Sequence, residues 1–291
     1  MALSRQIQLS NRVRLLPANI RNSILYHDVF NFPLKKEELV KWQTGERVSG
    51  LKVSPGKFVF KKGFYFLKGK EDSVYRRLIN EKFSKAKLKI AWKAVNVLSK
   101  IPSVKMVGVT GSLAMMNASE GSDIDLMIIT ATGTLWTTRL ISYLLLFFSG
   151  LSFRRSGEKE EKDKLCTNIW LDETDLKWTK KNIFTAHEVV QLKPLLNKNF
   201  TYEKFIRENA WARDYWPNAM KIKKVGSKTI LRNGALTGIV VFLLSVVEPL
   251  SFWFEYQYMR NKITKEKISP SRAVFHPFDW SRFVNSKIKP R

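Results

Sequence analysis

Cysteine is nearly absent from this sequence, and acidic residues are few against basic ones. Its 291 residues include one Cys, Cys166, so no internal disulfide can form and a reducing cytoplasm is the expected compartment. The acids number 25 against 51 Lys and Arg, which leaves a formal net charge of +26. A surplus of that size points to an anionic partner: RNA or DNA, a membrane surface, or an acidic macromolecule. The segment Met1 to Ser10 lacks the apolar centre of a signal peptide, and no internal repeat or low-complexity tract is visible. What remains is 44% hydrophobic and long enough for two or three modules with a sizeable core.

Long apolar runs are few. Ile141 to Phe153, inside a helix expected over Leu135 to Leu151, carries no charge but is too short for a bilayer and reads as a buried crossover helix. Gly234 to Phe254 is the most hydrophobic stretch. Glu248-Pro249 interrupts it, so a core or partner-facing helix is expected, with membrane association through 234–254 as the alternative.

Along the chain, residues 1 to 17 are polar and basic. Helical spacing follows from Ala18, Asn31-Phe-Pro33 stops it, and Leu34 to Trp42 reads as a second helix. Lys57 to Phe60 and Phe64 to Leu67 form a β-hairpin pattern around Lys61-Lys-Gly63. This order is winged-helix-like, and it defines an N-terminal module over 1–70. Glu71 to Lys100 is one long helix, with Val74, Leu78, Ala86, Ile90, Ala94 and Val97 as its apolar stripe. Its other face carries Arg76, Arg77, Lys82, Lys85, Lys87, Lys89 and Lys93, a candidate phosphate-contacting surface. Asn182 to Leu196 and Tyr202 to Asp214 read as further helices, and 179–291 as a helical C-terminal domain with a basic tail. His27 falls inside the first helix, where a core or capping role is expected, and His187 lies in a later helix with no acid or Cys at ligand spacing.

Chemistry concentrates between Val104 and Thr130, which parses as strand, glycine turn, short helix, turn, strand. Side chains alternate along the second strand, so Asp123 and Asp125 share one face. Paired carboxylates offer hard oxygen ligands to Mg²⁺, and Gly111-Ser112 lets backbone approach a phosphate. The apolar run Leu126 to Ile129 reads as buried strand, where an unpaired acid is costly, so the pair is expected to have a cationic partner. No Lys follows the glycines as a Walker loop requires, and Gly108-Val-Thr-Gly111 does not space like a dinucleotide fingerprint.

Gly111-Ser112, a ten-residue spacer and Asp123-Ile124-Asp125-Leu126 resemble the signature of the DNA polymerase β-like nucleotidyltransferase superfamily. The layout is also similar to bacterial nucleotidyltransferase-domain proteins with an N-terminal winged-helix-like segment. The resemblance implies an α/β (α+β) fold: a small mixed sheet with helices on one side over 71–178. It also implies Mg²⁺ held by Asp123 and Asp125, a nucleoside triphosphate seated by Gly111 and Ser112, and nucleotidyl transfer to RNA, a protein or a small molecule. In that family the next strand brings a third carboxylate to the metals. Asn168 stands at that position, with Asp172 or Glu173 as possible substitutes. A non-catalytic nucleotide sensor or nucleic-acid adaptor on the same fold is the alternative.

Overall fold

A computed structural model describes residues 16–45, 58–154, 158, 160–220, 228–230, 234–262, 266–275 and 280–288. The expectations for residues 1–15, for most of 46–57 and for most of the basic stretch 221–232 lie outside the described residues. The fold is mixed α/β. It is built on a seven-stranded sheet whose central strands are the β-branched, apolar runs around the acidic motif. In chain order these are β4 (Val104–Val109), β5 (Ile124–Thr130), β6 (Leu165–Asp172), β7 (Lys193–Lys198), β8 (Lys228–Ile230), β9 (Lys267–Ser269) and β10 (Arg272–Val274), arranged spatially as β8-β7-β4-β5-β6-β10-β9. β5 runs antiparallel to β4 and parallel to β6. The parallel step is reached through α5 (Leu135–Phe148), which crosses one face.

On that face α5 and the long α3 (Asp72–Leu98) cover Val107, Ile128 and Trp170. The opposite face is covered as well, which departs from the one-sided arrangement expected. There Met127, Ile129 and Ile169 pack in one cluster with α1 (Ala18–Asp28), α6 (Ile183–Gln191), α7 (Thr201–Glu208) and the C-terminal α9 (Trp280–Ile288). The N-terminal segment has the expected hairpin, β2 (Phe58–Lys61) and β3 (Phe64–Leu67). The two-residue β1 (Leu34–Lys35) before α2 (Lys36–Lys41) completes a three-stranded sheet.

Three expectations are corrected. Asn182 to Leu196 is not one helix: α6 ends at Gln191 and Lys193–Lys198 is a strand beside β4. Pro194 gives the reason, because proline disfavours helix for the residue before it and has no N–H to donate. It sits where the β4–β7 register shifts, a position that tolerates a missing donor. Four strands therefore lie beyond residue 178, and the sheet does not end at the expected boundary.

The buried stripe of α3 is also displaced. Leu78 is exposed, while Val74, Ala91, Ala94, Val95 and Leu98 line the core together with Arg77 and Lys87, both assigned above to the solvent face. Arg77 lies over the Phe32 ring, bonds Glu38 at 2.5 Å and also reaches the carbonyl of Pro33, so it joins α3 to the N-terminal module. Lys87 donates to Asp163 at 2.7 Å, to the Glu120 carbonyl at 2.9 Å and to the Ser122 carbonyl at 2.7 Å. Its ammonium thereby fixes the turn that leads into Asp123.

Finally, α8 (Ala235–Met259) is not a core helix. It packs on α5 through Glu248, Ser251 and Glu255 and turns Phe242, Leu250 and Phe254 outward.

Because the buried ammonium of Lys87 satisfies two loop carbonyls and the half-exposed Asp163, Lys87→Met should cost about 1–3 kcal/mol by leaving them without it. Urea unfolding of the purified chain measures it. A loss below about 0.5 kcal/mol means the ammonium does not organise the 120–123 turn.

Candidate functional site

The register of β5 against β6 assembles the site. Asp125 pairs with Cys166, and a bulge before Met127↔Ile169 adds a residue to β6. Cys166 and Asn168, two apart, both reach Asp125: the thiol bonds its carboxylate, and Asn168 Nδ2 donates to Asp125 Oδ1 at 2.8 Å. The backbone N–H of Thr110 donates to the Asp125 carbonyl at 3.1 Å, which draws the glycine turn against the strand. At Gly111, φ is +59°, and a Cβ there would stand 2.5 Å from Asp125 Oδ2. Glycine is demanded twice, by the left-handed backbone and by the carboxylate in contact with it. It opens the short α4 (Gly111–Ala114), so the short helix expected after the glycine turn begins at the glycine itself.

Asp123 is the more strongly paired acid. Arg154 Nη1 lies 2.9 Å from its Oδ2, and the same guanidinium also holds Glu161. Burial, and then the neighbouring charge of Asp123, push the Asp125 carboxyl up to about 7. Burial pushes the Cys166 thiol well up, so it stays protonated. The ligand atoms of Asp123, Asp125 and Cys166 all lie within 4.8 Å of one another.

This donor set fits a hard divalent cation. Two carboxylates supply anionic oxygens, and the buried Oδ1 of Asn168 has no partner among the described residues. The thiol is held protonated and does not compete.

The expected residues therefore divide cleanly. Asp123, Asp125, Asn168, Gly111 and Ser112 converge on one cavity of about 1120 Å³. Asp172 and Glu173 do not join them. Asp172 sits at the far end of β6, accepting from Gly133 N at 2.5 Å and Thr174 N at 2.7 Å, while Glu173 bonds Thr201 and Lys204.

Sequence reading missed four contributors. Cys166 and Arg154 reach the acids as described. Glu188 on α6 lines the same cavity, and burial followed by the charge of Asp125 raises its carboxyl to about 8. The N-terminal module supplies Phe30 and Phe32 as a wall. Of these only Cys166 left a signal, since it lies two residues before Asn168 on the same strand and hence on the same face.

His27 is a core residue, as expected, and so is His187, and both border the cavity from within. They lie in a buried ring cluster with Tyr26, Trp42 and Trp216, and burial lowers His27 to about 4 and His187 well below its usual range. Comparison of the chain with family models, curated proteins and solved structures found no match.

Two outcomes follow from this geometry. An acid whose folded pKa is raised binds its proton more tightly when folded, so Asp125 weakens the fold progressively as pH rises from about 4 to about 7. The melting temperature of Asp125→Asn should thus exceed that of wild type by a margin that widens from about pH 4 to about pH 7 and is full at pH 8. Equal melting at pH 8 would refute the burial of that charge. Gly111→Ala should lose about 1–3 kcal/mol from forced backbone strain and abolish Mg²⁺ binding, read by unfolding and calorimetry.

Proposed function

We propose that the protein is a Mg²⁺-dependent nucleotidyltransferase. It would move a nucleoside monophosphate from a nucleoside triphosphate to an acceptor. The observation carrying this reading is the convergence of Asp123, Asp125 and Asn168 on a glycine turn whose Cβ position is filled by the Asp125 carboxylate. The cavity around them is of nucleotide size. Asp123, Asp125 and the Asn168 amide oxygen hold the cation, which supplies positive charge against the phosphates and lets both acids ionise together.

Gly111 and Ser112, beside Asp125 on the cavity wall, seat the phosphates. Phe30, Phe184 and Trp178 offer apolar wall to the rest of the nucleotide. An acceptor hydroxyl forms a bond to the α-phosphorus, the bond to the β-phosphate oxygen breaks, and pyrophosphate leaves. The hydroxyl proton would pass to Glu188, which lines the cavity and is available as a base once ionised, its carboxyl being raised by burial to about 8. Lys82, Lys85, Lys89 and Lys93 stand exposed along α3 and give an RNA or DNA acceptor a phosphate-binding edge.

Incubation with labelled ATP, CTP, GTP and UTP, total cell RNA and lysate should place label on one acceptor class in Mg²⁺. Asp123→Asn should abolish transfer. Glu188→Gln should lower turnover by about 10²–10⁴-fold with nucleotide affinity kept. Mg²⁺-dependent nucleotide binding without any transfer would instead establish the nucleotide-sensing reading, which the amide at Asn168 in place of an acid favours. Should the acceptor be nucleic acid, replacing Lys85, Lys89 and Lys93 flattens the logarithmic salt dependence of binding by about 0.9 per lost duplex contact.

A further inference from the structure

The polarity of α8 is inverted relative to a surface helix. Its buried stripe is the polar one. Glu248 accepts from the backbone N–H groups of Trp136 at 2.7 Å and Thr137 at 2.9 Å, Ser251 accepts from Thr137 Oγ1 at 3.0 Å, and Glu255 pairs with Arg139. Its outer stripe is apolar along the whole length: Ile239, Phe242 (66% exposed), Val246, Leu250 (65%) and Trp253 all face away from the body. The last turn of α5 also exposes aromatic rings, Phe147 and Phe148, the latter 80% exposed. Among the described residues nothing covers this face, and an apolar patch of such extent marks an interaction surface.

The charge says what covers it. In the sequence, Lys221, Lys223, Lys224, Lys228 and Arg232 precede the helix, and Arg260, Lys262 and Lys265 follow it, within a chain of net charge +26. An apolar helix flanked by lysines and arginines matches a bilayer with anionic headgroups: acyl chains take the aromatic stripe and headgroups take the cations.

We propose that α8 docks the protein on an anionic lipid surface, lying in the plane of the interface. The helix has 25 residues, enough to cross a bilayer by length. Glu248, Ser251 and Glu255 nevertheless tie it side-on to α5, and α5 is fixed to the sheet by Trp136, Thr138 and Leu146. Crossing would carry the charged body into hydrocarbon, or strand two carboxylates there without their partners. Lying flat leaves every polar contact intact and immerses only the outer stripe. The nucleotide cavity opens from the opposite face of the sheet, so docking leaves it accessible.

The test is co-sedimentation of the full chain with vesicles of phosphatidylcholine alone and of phosphatidylcholine mixed with phosphatidylglycerol. The chain should sediment with the mixed vesicles, less so as salt is raised, and be released by alkaline carbonate. Leu250→Glu with Trp253→Glu should lower the partition coefficient about 10–100-fold at unchanged melting temperature. Trp253→Phe, which keeps the surface apolar, should still bind and lose fluorescence quenching by lipids brominated near the headgroup. No sedimentation with mixed vesicles overturns the proposal. So does resistance to carbonate, which would mean a spanning helix. A dimer in the absence of lipid that Leu250→Glu with Trp253→Glu dissociates also overturns it, by assigning the face to a second copy.

Discussion

Two like charges on one strand of a buried sheet form the constraint around which the rest of this molecule is arranged. Asp123 and Asp125 repel each other, and burial magnifies the repulsion because little water screens it. Each neighbour answers part of that problem. Arg154 neutralises Asp123, Asn168 and Cys166 donate to Asp125, and Gly111 leaves the carboxylate the space a side chain would take. An acid at position 168 would add a third negative charge with Arg154 as the close cation. An amide instead gives Asp125 a hydrogen bond and leaves its own buried oxygen without a partner among the described residues. The exchange makes the site easier to hold together without a cation and weakens its pull on one.

The same accounting of charge operates on the other face of the sheet. The first turn of α5 presents free N–H groups, and the carboxylate of Glu248 meets two of them where the helix dipole also favours an anion. Arg139 and Glu255 repeat the pairing one helical turn further along α5. In sequence, Glu248-Pro249 looked like an interruption of an apolar run. In the structure, Glu248 is the reason the run has an inside, and the apolar side is left outward because the polar side is already engaged.

What was legible in the sequence was whatever local pattern alone decides. The alternation that puts Asp123 and Asp125 on one face, the extent of α3 and the N-terminal hairpin needed only periodicity and turn residues. What was hidden depended on partners distant in the chain. Arg77 and Lys87 looked solvated until Glu38, 39 positions earlier, and Asp163, 76 positions later, supplied their counter-charges. Once those two face inward, the buried stripe of α3 must rotate with them and expose Leu78. The strand at Lys193–Lys198 was hidden for a different reason: its apolar residues carried the helical pattern onward, and the break at Pro194 was given too little weight.

The N-terminal module acquires a different meaning from this packing. Its Leu34, Leu39 and Trp42 are buried in the same cluster as α6 and the inner face of the sheet, and its Phe30 and Phe32 form cavity wall beside Asp125 and Gly111. Arg77 fastens it to the helix that also orders the Glu120 to Asp123 turn through Lys87. A module held on both sides in this way is part of the body that walls the cavity. Any ligand between Asp125 and Phe30 touches both parts of the chain. Its binding free energy then depends on how they are packed, and a change at the Arg77 contact should reach the site without any residue of the site being altered.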